Sequence, residues 1–342
     1  MYEYEKRPWR VVLLAGGDSA EREVSLTSGR AVAQALSSAG HHLQTVDPAA
    51  TELEKVDWSD ADVCFIALHG GAGEDGQVQA RLEQMGISYT GSGPRASQLA
   101  MSKSAAKERF LATGVPTADF LLLEGDILHA ADNNVGQAFQ PDCVTRGDVR
   151  LESLTYGEPD RRRVDALGFP LVVKPDRQGS SLGVGFAQGA EELRSRVAAA
   201  RQFDSAVLIE RWIDGREFTV AVLGRRPLPL LEIVTPRGLF DYEAKYEDAL
   251  TEYRFEHGLP AAVAERLVAA AVSAAEALDT SGLVRVDLML DRGGQPWVLE
   301  VNTSPGLTDH SLAPKAAAQC GMDMVALCSW MIRDALAAEV RS

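Results

Sequence analysis

The chain has 342 residues, too many for one ordinary core and right for two or three. Its composition, 46% apolar and 24% charged, is that of a globular protein. A net charge of −15 argues against non-specific nucleic-acid binding but leaves room for a small anionic ligand, because a local field can oppose the global one. In chain order, WRVVLLAGGDSAEREVSLTSGRAVAQALSSAG (9–40) reads as a strand, a glycine turn and a helix. Asp18 or Ser19 is its expected cap and Gly40 its expected end. ADVCFIALHGGAGEDG (61–76) repeats the idea, a buried strand running into a polar glycine-rich loop. Such alternation predicts a parallel sheet with ligands at the carboxyl ends of its strands.

SKSAAKERFLATGVP (102–116) reads as a helix closed by Gly114 and Pro116. Residues 124–165 are polar, carry scattered Gly and Pro and lack a clear period, so they read mostly as an irregular excursion. FPLVVKPDRQGSSLGVGFA (169–187) reads as two strands around a glycine-serine loop. AVLIERWIDGREFTVAVLGRRPLPLLEIV (206–234) reads as three strands in antiparallel hairpins, broken at Asp214-Gly215 and Arg225-Arg226. A helix from Pro260, with Gly282 past its end, a last hairpin (282–302) and an alanine-rich helix follow. The four cysteines show no Cys-x-x-Cys spacing and read as core thiols of a reducing compartment. The only apolar run near the start, Val11 to Ala15, is too short for a leader, and none reaches the roughly 20 residues of a membrane span. A cytoplasmic protein without a membrane role is the expectation.

The last hairpin carries the first chemical signal. Glu300 and Asn302 stand two apart at the end of an apolar strand, so they share a face. Pairing Leu290 with Trp297 across DRGGQP sets Asp287 opposite Glu300 and Arg285 opposite Asn302. Facing carboxylates repel unless a hard cation lies between them. Two carboxylates and an amide oxygen suit Mg²⁺, which takes phosphate oxygens at its other sites. Phosphate suggests ATP, yet no Walker loop is present. The available phosphate binder is Lys174 with the loop Gly179, Ser180, Ser181 and Gly183. Read singly, that loop fits a plain hairpin turn, Glu210 and Glu217 fit exposed strand carboxylates, and Lys103 fits a helix surface.

Together, AGGDSAEREVSL, ALHGGAGEDG, YTGSG, FPLVVKPDRQGSSLGV, VLIERWIDGREFTVAVL, FDYEAKY, VRVDLML and LEVNTSPGLTDHSL resemble, in order, the motifs of D-alanine–D-alanine ligases of the ATP-grasp superfamily. The resemblance implies an ATP-grasp fold, α/β and α+β. An N-terminal Rossmann-like parallel α/β domain would span 1–102 and a small central α+β lid 103–213, with an unusual insertion at about 124–165. A C-terminal antiparallel-sheet α+β catalytic domain would span 214–342. It implies ATP and two Mg²⁺ (or Mn²⁺), D-alanine as substrate for peptidoglycan precursor synthesis, and a homodimer.

Residue by residue, the resemblance gives Asp287, Glu300 and Asn302 to the metals. Lys103, Lys174 and Lys245 go to ATP phosphates, and Ser181 to the loop over the γ-phosphate. Glu210, Trp212 and Ile213 line the adenine slot, and Glu217 takes the ribose. Glu21 binds the first substrate's ammonium, although Asp18-x-x-Glu21 alone looks like a capping box. His69 lies near that substrate, while a lone His is more often structural. Glu21, Ser180 and Tyr246 form a hydrogen-bonded set. Arg285 and the Gly306 N–H form an oxyanion hole. Ser311, by side chain, and Leu312, by backbone, grip the second carboxylate. An intact FDYEAKY, with Tyr246, matches relatives whose second substrate is an amine and not a hydroxy acid.

Two stretches depart from the pattern. The excursion at 124–165 is long, and Phe255-Glu256-His257 stands where the family has Pro-Ala. That leaves a carboxylate–amine ligase using another amino acid, in antibiotic biosynthesis or resistance, as the alternative. A dinucleotide-binding oxidoreductase fits the first strand–turn–helix unit but lacks Gly-x-Gly-x-x-Gly and leaves the acidic face unexplained. A non-catalytic ATP-grasp-like protein would be expected to lack Arg285, Glu300 or Lys174.

Overall fold

A computed structural model describes residues 7–124, 127–130, 158–235 and 251–339. Three sheets follow one another along the chain. The first has the parallel order β2-β1-β3, with β1 (Arg10–Leu14), β2 (His42–Val46) and β3 (Val63–Ile66). Val11 to Leu14 and all of β3 are buried, as a strand covered on both faces requires. Helix α1 (Arg22–Ser38) follows β1 but is capped by neither Asp18 nor Ser19. Ser19 Oγ instead accepts from the Glu21 N–H at 3.1 Å and donates to the His69 carbonyl at 2.6 Å, tying two loops together at the sheet's carboxyl end.

Asp47 holds the glycine turn after β1. It accepts from the Gly17 N–H at 2.9 Å and from Arg22 Nη2 at 2.6 Å. The Arg22 hydrogen bond lowers its carboxyl to about 2, against 3.8 normally. A depressed folded value stabilises above the unfolded one, and that contribution is lost as pH falls from about 3.8 towards 2. Asp47→Asn is therefore expected to flatten the acid limb of stability in this window, read as urea midpoints against pH.

The second sheet is antiparallel, in the order β5-β4-β8-β6-β7. Its strands are β4 (Phe120–Glu124), β5 (Ile127–Ala130), β6 (Leu171–Pro175), β7 (Gly185–Ala187) and β8 (Ala206–Arg211). Val164 of α5 (Glu158–Leu167) and Leu193 and Val197 of α6 (Ala190–Ala200) pack on Leu121, Leu171 and Val207. The stretch read as an irregular excursion thus contributes β5 and α5; the remainder of it lies outside the described residues.

The third sheet runs β12-β11-β9-β13-β14, with β10 on β9. Its strands are β9 (Gly215–Leu223), β10 (Arg226–Pro227), β11 (Leu231–Val234), β12 (Glu252–Arg254), β13 (Leu283–Asp291) and β14 (Pro296–Asn302). The expected hairpin at Asp214-Gly215 is not one: β8 and β9 belong to different sheets, and the chain crosses between them there. Gly215 is needed for a different reason than a turn, because a Cβ there would collide with the Leu290 carbonyl. The last hairpin keeps the expected register at its open end, Arg285 opposite Asn302 and Asp287 opposite Glu300. Towards the turn the register shifts: Leu288 faces Val298 and Leu290 faces Pro296, not Trp297, so Leu299 is the extra residue of a β-bulge.

Helices join the layers. α2 (Gln77–Gln84) packs on the first sheet through Val78 and Leu82. α3 (Pro94–Met101) leads into α4 (Lys103–Thr113), whose Ala106 and Phe110 enter the third core beside Phe218 and Val298. Leu267, Ala270, Ala271 and Ala274 of α7 (Ala261–Ala277) pack on the same sheet. After α8 (Leu312–Gln319), Leu327, Cys328, Met331 and Ile332 of α9 (Met324–Glu339) return to Val11, Leu13 and Phe65 of the first sheet. Cys64 and Cys328 are core thiols as expected; Cys320 is exposed, and Cys143 lies outside the described residues. Among the described residues no helix is long and apolar enough to cross a membrane.

Candidate active site

A cleft of about 430 Å³ opens where the three sheets meet. Its wall includes Glu21, His69, Lys103, Ser180, Arg285, Glu300, Asn302, Gly306, Ser311 and Leu312, all expected from the sequence. Ser180 Oγ donates to Glu21 Oε1, joining the glycine-serine loop to the start of α1. Ser180 and Ser181 both take left-handed backbone, φ 50° and 55°, which costs of order 1–2 kcal/mol per residue and marks a loop shaped for more than turning. Lys245 and Tyr246 lie outside the described residues.

His69 is buried at the end of the first sheet. Its Nε2 lies 2.8 Å from Ser28 Oγ and its Nδ1 lies 3.0 Å from the Ser304 carbonyl. Glu74 Oε1 stands 3.6 Å from Nδ1. Ser304 Oγ donates to the Leu68 carbonyl at 2.8 Å, so the loop after β14 is fastened to β3's end. Within that loop a Cβ on Gly306 would fall 2.7 Å from Ser311 Oγ, so a side chain there would push Ser311 from its place. Ser311 precedes α8, and Leu312 opens it with its side chain in the core. The unpaired N–H groups of a helix start favour an anion there.

On the hairpin, Asp287 receives Arg285 Nε at 2.9 Å and Nη2 at 2.8 Å, a two-pronged pair, and Thr219 Oγ1 at 2.7 Å. Asn302 Oδ1 accepts from the Ser304 N–H at 2.8 Å. The facing Asp287 and Glu300, with Asn302 two residues on, have the donor chemistry of a Mg²⁺ site. Among the described residues no three His, Cys, Asp or Glu side chains gather in a group that could hold a metal. The bulge at Leu299 lies next to Glu300 and brings it opposite Asp287.

A second group sits between the middle sheet and α4. Glu210 on β8 receives Lys174 Nζ on Oε1 and Lys107 Nζ on Oε2, the latter at 2.9 Å. Burial would raise the Glu210 carboxyl, but the two ammonium groups outweigh it and hold it at about 2. Burial would likewise lower Lys174, yet the Glu210 carboxylate, with Glu300 and Glu217, raises it. For Lys107 burial wins and its value falls. Lys103 Nζ donates to the Gln178 carbonyl at 2.6 Å, and Asp176 accepts from Ser102 Oγ at 2.8 Å and the Ser104 N–H at 2.7 Å, so α4 grips the root of the loop. Trp212 packs edge-on against Phe186 at 5.1 Å, and Ile213 is buried with Ala118 and Met289. Glu217 faces Met289 and Ile233 across its two neighbouring strands.

Models of the D-ala D-ala ligase C-terminus and N-terminus match residues 144–333 and 43–92, together more than half of the chain. The chain belongs to the D-alanine–D-alanine ligase family. It is 40% identical to a D-alanine–D-alanine ligase of Pseudomonas putida (strain GB-1), over 96% of this chain and 93% of the relative. It is 42% identical to one of Bordetella petrii, over 95% and 92%. Among solved structures, a D-alanine–D-alanine ligase of Bacillus anthracis superposes with a TM-score of 0.79 at 31% identity, covering 97% of this chain and 99% of that one. The same ligase complexed with ATP gives 0.77 at 30% identity. The fold is accordingly the ATP-grasp fold of this family, with one parallel and two antiparallel sheets among the described residues.

Sequence reasoning missed Glu74, Lys107, Asp176 and Thr219. Lys107 was the readable one: it stands four residues after Lys103, on the same helix face.

Proposed function

We propose that the cleft runs the family's reaction with D-alanine in both amino-acid positions. ATP phosphorylates the carboxylate of the first D-alanine; the amine of the second attacks the acyl carbon; phosphate leaves and D-alanyl-D-alanine forms. The family supports the class, an ADP-forming ligase that supplies peptidoglycan precursors. The observation that carries the reading is the convergence of three sheets on one cleft: Glu21 and His69 from the first, Ser180 from the second, Arg285, Glu300 and Asn302 from the third.

In this reading Glu21, held by Ser180, receives the first substrate's ammonium, and His69 is fixed beside it. Lys103, Lys174 and Lys245 meet the phosphates, with Ser181 in the loop above. Glu210, Trp212 and Ile213 take adenine and Glu217 the ribose. Asp287, Glu300 and Asn302 would hold Mg²⁺ (or Mn²⁺), which when bound offsets the charge of the transferring phosphoryl group. Arg285 and the Gly306 N–H stabilise the oxyanion of the tetrahedral intermediate. Ser311 and the Leu312 N–H receive the second carboxylate, and Tyr246 completes the Glu21–Ser180 set. Three domains, 1–102, 103–213 and 214–342, a homodimer and a cytoplasmic location belong to the same reading.

The test is phosphate release from ATP and Mg²⁺ against D- and L-amino acids, singly and in pairs. Release with D-alanine alone is expected. Release only with another pair would move the assignment to a different carboxylate–amine ligase. D-lactate outcompeting D-alanine at neutral pH would overturn the choice of an amine. Light scattering checks the dimer.

A further inference from the structure

Lys107 has no part in the roles set out above, yet it is the largest charged side chain sealed in the protein's described interior. It leaves α4 one turn after Lys103 and runs under the middle sheet to Glu210. Its ammonium also donates to Thr117 Oγ1 at 2.6 Å. The Thr117 hydroxyl proton is committed to the Val298 carbonyl, at 2.8 Å, so Thr117 accepts from Lys107. The Phe120 ring lies 5.8 Å from the same nitrogen. Lys107 is thus fixed from α4, β8 and β14 together. A sealed ammonium is expensive, and one partner, Lys174, already balances Glu210. Lys174, however, is shared with Glu300 and Glu217, whereas the Lys107 ammonium has Glu210 as its nearest carboxylate, so the second ammonium serves Glu210 above all.

Its effect is on what Glu210 can be. With an ammonium on each oxygen, the carboxylate keeps no proton and cannot turn; it is an acceptor with fixed direction. Purine nucleotides differ at the edge such a group would meet. Adenine presents an amino donor where guanine presents a carbonyl acceptor. A fixed acceptor bonds the first and repels the second. We propose that Lys107 is a positioning residue that sets the preference for adenine nucleotides by holding Glu210 as a fixed hydrogen-bond acceptor. This rests on the reading that Glu210 faces the base.

The test compares ATP with GTP by kcat/KM, and ADP with GDP by calorimetric affinity, in the full-length protein. Lys107→Met is expected to shrink the adenine preference about tenfold or more, since a site built around one hydrogen bond loses its selectivity with it. Lys107→Arg, which keeps the charge, retains most of the preference. Glu210→Gln, able to donate as well as accept, shrinks it too. Adding Lys107→Met to Glu210→Gln changes it no further, because both act through one group. Should Lys107→Met not fold, Lys107→Gln replaces it with the same expectation. A folded Lys107→Met or Lys107→Gln with unchanged preference, beside a Glu210→Gln that loses it, overturns the role of Lys107 alone. An unchanged preference in Glu210→Gln overturns the placement of Glu210 at the base, and the proposal with it.

Discussion

Replacing Glu300 with Gln is expected to lower turnover by about 10²–10³-fold, the usual loss when one preorganised charge is withdrawn from a transition state. The substitution keeps shape and removes one negative charge from the pair facing across β13 and β14. Phosphoryl transfer between anions depends on cations, which the proposed reaction would hold at that face. The Mg²⁺ concentration for half-maximal activity should rise together with the fall in kcat. The fold should hold, because the charge removed loses both its repulsion by the facing Asp287 and its attraction to Lys174, so the melting temperature should move little. Steady-state kinetics over a Mg²⁺ series, with a melting curve, checks all three. Unchanged turnover would remove Glu300 from the metal set.

The largest stability effect is expected at Glu210. Glu210→Leu leaves Lys107 and Lys174 in the interior without their shared carboxylate. Breaking a buried ion pair from one side costs about 3–5 kcal/mol, a large part of a typical domain's stability. Glu210→Gln should cost less, since an amide oxygen still accepts from an ammonium. The pH dependence separates charge from packing. Burial would raise the Glu210 carboxyl, but the lysines hold it at about 2, below the ordinary 4.5. Its stabilisation is therefore complete above about 4.5 and is lost as pH falls towards 2, and that acid limb should be absent from Glu210→Gln. Denaturant midpoints of the three proteins across this range are the measurement. A Glu210→Leu protein as stable as the parent would show that the lysines find water or other partners.

The acidic face was legible because alternation is a local property. Arg285 shares a face with Asp287, and Glu300 with Asn302, by alternation alone; that the two pairs oppose each other depends on register, and the bulge restores it after the turn has shifted it. The bulge was not legible: one added residue at Leu299 leaves composition and alternation nearly untouched, so Leu290 faces Pro296. Asp214-Gly215 spells a turn, and the strands beside it are real, but nothing local says that they enter different sheets. The contact of Ser180 with Glu21 joins positions 159 residues apart, and that of His69 with Ser304 positions 235 apart. Spacing cannot reach such distances; the ordered motifs of a known family did. A buried Lys107 reads like any surface lysine until its helix is set against β8.

Helix α9 closes over the first sheet, packing Leu327, Met331 and Ile332 on Val11, Leu13 and Phe65. The earliest strands of the chain are therefore sheltered by some of its latest residues. During synthesis the part of that apolar face not already covered by Val32, Ala35 and Leu36 of α1 stays open until α9 has left the ribosome. At about 5–20 residues per second the interval is of the order of tens of seconds, and in it the nascent chain offers a sticky surface to chaperones and to its neighbours. Yield in the cell should thus depend on translation speed and chaperone supply as much as on the stability of the finished fold.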